Sequence, residues 1–173
     1  MRFALLALLC CLAIVPTAHG FVIEGDRWPG PTISVWNGTG YKAPVLDAMR
    51  SWNAARAKIR FVPAQSSATA DVVVRIGVIS KQGRAAVGYE PGSTVTLPRG
   101  LGRVAATALA AHELGHVLGL GHETRGCTVM APVVNAGSLS RCGLGACKVL
   151  WRCLVQRDDR NGAFALYGRR ATT

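Results

Sequence analysis

The residues with the clearest chemical potential stand between 112 and 122: His112-Glu113-Leu114-Gly115-His116-Val117-Leu118-Gly119-Leu120-Gly121-His122. His112 and His116 are four positions apart, so on a helix their imidazoles leave from one face and can grip one zinc ion. Glu113 lies one position along, close to the metal but angled toward its open position, which suits a general base acting on zinc-bound water. A third ligand must come from beyond the helix, because another turn would carry the chain away. Gly119 can take the left-handed conformation that reverses the chain, and His122 can then swing back to the ion. Three neutral imidazoles leave the fourth tetrahedral position for water, the mark of a catalytic rather than a structural zinc.

Histidine usage supports this reading over a helix that merely carries surface histidines. The chain has 4 histidines. His19 falls in a leader segment, and His112, His116 and His122 account for the rest. Histidines placed for packing or surface charge would be scattered.

The elements that must position these groups follow from periodicity. Trp28-Pro29-Gly30-Pro31 is a rigid opening, and Thr32 to Trp36 alternates as a strand. Asn37-Gly38-Thr39-Gly40 is a turn that also matches the N-glycosylation acceptor pattern. Pro44, Val45, Met49, Trp52 and Ala55 recur at helical spacing, predicting a helix that ends near Lys58. Ile59 to Val62 and Asp71 to Gly77 read as strands, and Ala85–Tyr89 and Thr94–Leu97 as short extended pieces. Val104 to Leu118 is helical and rich in Ala and Leu, with Gly119 and Gly121 as its stop. The stretch from Cys127 to Arg152 is irregular, and a last helix runs from about Asp158 to Tyr167. The class is α+β, one domain over residues 21–173 with a looped C-terminal part.

Composition bounds what this domain can be. Of 173 residues 50% are hydrophobic, which excludes a disordered chain, and 20 Lys and Arg against 9 Asp and Glu give a net charge of +11. That charge implies affinity for anionic surfaces or acidic substrates. Nucleic acid is not expected, because the basic residues are scattered singly with no nucleic-acid-binding motif around them. Met1-Arg2, the apolar run Phe3 to Val15 and the small residues Ala18 and Gly20 read as a secretory signal peptide over residues 1–20. The run is too short for the ~20 residues of a spanning helix. The mature chain is therefore expected to be secreted, extracellular, free of the membrane and monomeric.

Cysteine usage agrees with export. Beyond Cys10 and Cys11 the chain holds Cys127, Cys142, Cys147 and Cys153, which read as two disulfides. Three connectivities are open, with the nested pair Cys127–Cys153 around Cys142–Cys147 favoured. A four-cysteine zinc site is the rival, and no tight Cys-x-x-Cys pair supports it.

With these motifs in place the chain resembles the metzincins, zinc endopeptidases that follow an extended histidine motif with a methionine turn. Met130, in Thr128-Val129-Met130-Ala131-Pro132, sits where that turn is expected, and in the family its methionine forms an apolar floor beneath the histidines. Within the metzincins the wording of residues 116 to 122 is similar to the matrixins, the catalytic domain of matrix metalloproteinases. So are the stretch from Gln156 to Gly168, Trp28 before the first strand and Trp52 on the first helix. The resemblance implies a zincin fold: a twisted mixed sheet, a first helix, an active-site helix, and a small looped subdomain ending in a helix.

The chain departs from the pattern in several places. Matrixins carry a propeptide whose cysteine masks the zinc; here the signal peptide runs almost directly into the domain. They also bind a second, structural zinc and calcium through His and Asp. This chain has no histidine between 21 and 111, and between 60 and 105 its only acids are Asp71 and Glu90. A second zinc is not expected, and calcium is doubtful. Glu123 stands where matrixins typically carry Ser and astacins Glu. In both groups a carboxylate can receive the ammonium of the mature N-terminus, which implies that Phe21 pairs with Glu123, Asp158 or Asp159.

The expected activity is hydrolysis of internal peptide bonds of proteins, with His112, His116 and His122 holding one catalytic zinc and Glu113 moving the proton. A protein or peptide substrate should bind extended, adding a strand near Gly83–Tyr89, with Pro132 and Val133 walling the pocket beyond the scissile bond. Tyr89 is read as a packing residue before a donor. Two other readings are kept: an exported zinc-binding module of the same fold without turnover, and a peptidase acting on cell-wall peptides.

Overall fold

A computed structural model describes residues 20–78, 83–134, 142–143 and 147–171 of the chain. Residues 1–19, which hold nearly all of the expected signal peptide together with Cys10 and Cys11, lie outside the described residues.

Alternation of buried and half-exposed side chains makes β1 (Thr32–Asn37), with Ile33 and Val35 turned inward. The chain then enters α1 (Lys42–Ala54), returns as β2 (Arg60–Pro63), crosses to β3 (Val72–Ile76) and reaches β4 (Ser93–Leu97). The strands stand in the order β2-β1-β3-β4, every neighbouring pair parallel. The register sets Ile33 beside Phe61, Val35 beside Val72, and Val74 beside Val95. Parallel neighbours require a long crossover, which α1 supplies between β1 and β2. Of the mixed sheet that was expected, the antiparallel part among the described residues is one bridge, Arg84 to Thr96, along the free edge of β4.

One face of this sheet, built from Ile33, Val35, Val72, Val74, Val95 and Leu97, meets α1 through Val45, Met49 and Trp52 and joins α2 (Arg103–Val117) in a single core. Helix α2 is buried on all sides from Ala106 to Val117. Its run of small residues, Ala106, Ala108, Ala110 and Ala111, removes the bulk that would otherwise hold its neighbours away. Two indoles fasten it: Trp52 donates from Nε1 to the Ala111 carbonyl at 2.8 Å, and Trp28 to the Val117 carbonyl at 2.7 Å.

Helix α1 stops four residues before Lys58, its expected end. Arg56 adopts φ 66°, a left-handed conformation that breaks the helical path, and Ala57 then bridges antiparallel to Arg169. The C-terminal part contains a short turn, α3 (Leu150–Cys153), and α4 (Arg157–Tyr167). A capping box opens α4: the Gln156 side chain accepts from the Asp159 backbone, while Asp159 accepts from the Gln156 backbone.

The disulfides correct the nested expectation. Cys127 is joined to Cys142, and Cys147 to Cys153, so the two loops follow one another. The helical turn of α3 folds Cys153 back until its Cα is 6.3 Å from that of Cys147, which leaves Cys142 to Cys127. Short loops cost the least entropy to close, and nothing in the spacing of the four cysteines announces that turn. No helix among the described residues is long and apolar enough to cross a membrane.

Candidate metal centre and cleft

The geometry at residues 112–122 grows out of the end of α2. Backbone bonds from Leu118 to the Leu114 carbonyl, Gly119 to His116 and Leu120 to Gly115 close the helix with a tightening turn. Gly119 then takes φ 101°. A β-carbon there would be strained, and it would also stand 2.8 Å from the Gly25 carbonyl oxygen. The reversal brings His122 back over the helix.

The three Nε2 atoms face one another at 3.1 Å between 112 and 116, 3.2 Å between 116 and 122, and 3.2 Å between 122 and 112. A tetrahedral zinc with bonds of ~2.0–2.1 Å needs edges of about 3.3–3.4 Å, so the triangle fits one such ion with little adjustment. Second partners fix the tautomers. His112 Nδ1 lies 2.7 Å from the Val129 carbonyl and His116 Nδ1 2.8 Å from the Leu120 carbonyl. A carbonyl only accepts, so each Nδ1 carries the proton and each Nε2 presents its lone pair to the common point. Burial is the main cause that lowers the His112 pKa to about 4, and it also lowers that of His116. Both rings are therefore neutral, as metal ligation demands.

Glu113 is 2% exposed and burial alone raises its pKa to about 8. It lies at the floor of a cleft of about 260 Å³ shared with all three histidines. The chain at Gly83 passes so close that a β-carbon there would overlap the Glu113 carboxylate. That chain is the segment paired to β4: Arg84 donates to the Thr96 carbonyl at 3.0 Å and accepts from Thr96 at 2.7 Å. Gly83, Arg84, Ala85 and Val87 form one wall of the cleft, and Pro132 and Val134 contribute to another.

Met130, 2% exposed, packs against the histidine-bearing helix at Gly115. A β-carbon at Gly115 would overlap its Sδ, so glycine at 115 is what lets the turn seat against the helix. Asp159 holds that turn from the other side. Its carboxylate accepts from the Thr128 hydroxyl, from Val129 N at 3.0 Å, from Met130 N at 3.4 Å and from Gln156 N at 2.7 Å. Burial raises its pKa, opposed by these four hydrogen bonds.

His112, His116, His122 and Glu113 are thus brought together. Tyr89 packs edge-on against Trp28 at 5.1 Å between ring centroids and does not line the cleft. Val134 takes the wall position assigned to Val133, which points outward at 52% exposure. Of the acids considered for Phe21, Asp159 is engaged by the methionine turn and the helix cap. Glu123 accepts from Arg125 N at 2.6 Å, while Asp158 Oδ2 lies 2.6 Å from where a β-carbon at Gly20 would stand. Glu24 lines the cleft and was not anticipated. It arrives because Ile23 bridges to Leu120 and because Glu24 N and Gly25 N donate to the Gly119 carbonyl at 3.0 and 3.2 Å. No spacing in residues 20–26 signals that pairing.

A family model described as Matrixin, a peptidase family, matches residues 46–168, from within α1 to just past α4. Comparison with curated proteins returns no match. The match takes in most of α1, all of α2, the histidine triad and the methionine turn, and the chain therefore belongs to the matrixins, a family of zinc-dependent metallopeptidases.

Proposed function

We propose that the protein is a secreted endopeptidase that hydrolyses internal peptide bonds of proteins, with His112, His116 and His122 as ligands of one zinc ion and Glu113 as general base. The observation that carries this reading is the near-equilateral triangle of Nε2 atoms above a cleft whose floor is a buried carboxylate. Bound there, zinc would acidify a water molecule and polarise the scissile carbonyl.

The chain's own residues do the rest. Glu113 accepts a proton from the attacking water as its oxygen bonds to the carbonyl carbon, holds that proton on its carboxyl, and gives it to the departing amine nitrogen as the C–N bond breaks. Burial raises the Glu113 pKa in the metal-free chain, and the positive charge of a zinc ion at the triad would draw it back down, leaving a carboxylate able to take a proton and later release it. The edge segment at Arg84 and Ala85 supports a substrate bound as an added strand, because its other side borders the cleft. Once the leader is removed, the ammonium of Phe21 pairs with Asp158.

The test is zinc content and protein hydrolysis of the mature domain and its Glu113→Gln variant, with and without a chelator. Both should hold zinc, and only the parent should cleave. If the parent holds zinc and cleaves nothing across a broad peptide library, the domain is a binding module. Casein and purified cell wall digested side by side separate protein from cell-wall peptide as substrate.

A further inference from the structure

The net charge of +11 is not spread evenly over the fold. No Asp or Glu occurs between Met49 and Ala70, and none follows Asp159. The fold joins these two acid-free stretches. Lys58 N donates to the Gly168 carbonyl at 2.9 Å, Arg170 N to the Arg56 carbonyl at 2.9 Å, and Ala57 bridges antiparallel to Arg169.

Across this seam the cations are held outward. Arg56, Lys58 and Arg60 are exposed, while Ala57 and Ile59 between them are buried. Arg169 is exposed, with its guanidinium 5.5 Å from the centroid of the Phe164 ring. Arg170 is fixed between them, donating from Nε to the Ala57 carbonyl at 2.8 Å and from Nη2 to the Asn53 carbonyl at 3.3 Å. Burial, then the charges of Arg60 and Arg56, depress its pKa. Among the described residues the salt bridges are Asp47 to Arg50 and Asp47 to Arg103, so no carboxylate neutralises this seam.

We infer that Arg56, Lys58, Arg60, Arg169 and Arg170 form a docking surface for a linear polysaccharide bearing sulfate or carboxylate groups. Guanidinium forks match such oxyanions in two-point contacts, and a row of them on a rigid seam suits a chain with repeated anionic groups. The surroundings argue against other anions. None of the exposed large hydrophobic side chains among the described residues lies in 55–60 or 157–171, so nothing is poised to enter a lipid surface. The nearby aromatic face, Phe164, already carries Arg169 and is not offered to nucleic-acid bases. None of the five residues lines the cleft at the histidines, so a docked chain leaves that cleft free.

The experiment is salt-gradient elution from immobilised heparin, as the sulfated polysaccharide probe, with direct titration at fixed salt. The triple variant Lys58→Glu, Arg60→Glu, Arg169→Glu is compared with Arg27→Glu, Arg75→Glu, Arg99→Glu, which changes net charge equally. The first should lose at least about tenfold in affinity, with a shallower salt dependence, and the second far less. Zinc-dependent cleavage of a short peptide should be unchanged in both. Should the charge reversals disturb folding, the glutamine versions carry the same comparison. Equal losses in the two variants would overturn the inference in favour of net charge alone, and tighter binding to duplex DNA or to anionic vesicles than to heparin would overturn the assigned partner.

Discussion

At the scale of single residues, the proposed mechanism makes Glu113 the side chain that separates metal binding from turnover. Glu113→Gln keeps the size and burial of the side chain but cannot shuttle a proton. It is expected to retain zinc while kcat/KM falls by about 10²–10⁴-fold, measured on a peptide substrate with metal content in parallel. His116→Ala is expected to lose both. The metal-free protein should also show the protonation of this residue in its stability. The folded Glu113 pKa of about 8 lies above its ordinary 4.5, so between those values the folded carboxyl keeps a proton that the unfolded chain has shed. Its contribution is full below pH 4.5 and is lost as pH rises through 8. His112, lowered from 6.5 to about 4, acts in the opposite sense, losing stability as pH falls from 6.5 toward 4. Above pH 6.5 only the Glu113 slope remains of the two. Thermal or urea unfolding in the presence of chelator should then show a decline of about 2 kcal/mol between pH 6.5 and 8, absent in Glu113→Gln.

At the scale of elements, the loops around the triad matter as much as α2. Asp159 joins the start of α4 to the methionine turn through four accepted hydrogen bonds. Asp159→Ala should cost about 3 kcal/mol in urea unfolding and weaken zinc retention, because the Val129 carbonyl that orients His112 sits in the same turn. Removing Cys127–Cys142 as a double serine variant should cost about 3 kcal/mol, the entropy of a loop of that size.

These elements also show what could be read in advance. Helix α2 and its histidines were legible because one helical period and one glycine suffice to place them. Strands β1, β3 and β4 were legible from alternation or unbroken apolar runs. Glu24 and Val134 were not, since each reaches the cleft through loop segments whose positions depend on tertiary contacts. The disulfide pairing was hidden by a four-residue helical turn, and the early end of α1 by a left-handed arginine.

At the scale of the whole molecule, zinc and fold should be linked. The rings of His112 and His116 are buried and held by backbone carbonyls from 129 and 120, so folding assembles the site and the ion in turn favours the folded chain. Zinc returned to chelator-stripped protein should raise the unfolding temperature, by a free energy of about 4 kcal/mol at a thousandfold excess over Kd. The His116→Ala variant should not respond.

Trp28 and Trp52 are 4% and 3% exposed, and their indole N–H groups end on carbonyls at either side of the histidine-bearing turn of α2. Any local opening of that turn would release an indole into water and redden its emission. The protein thus carries its own optical gauge of whether the histidine-bearing turn is closed, readable without a label or a substrate.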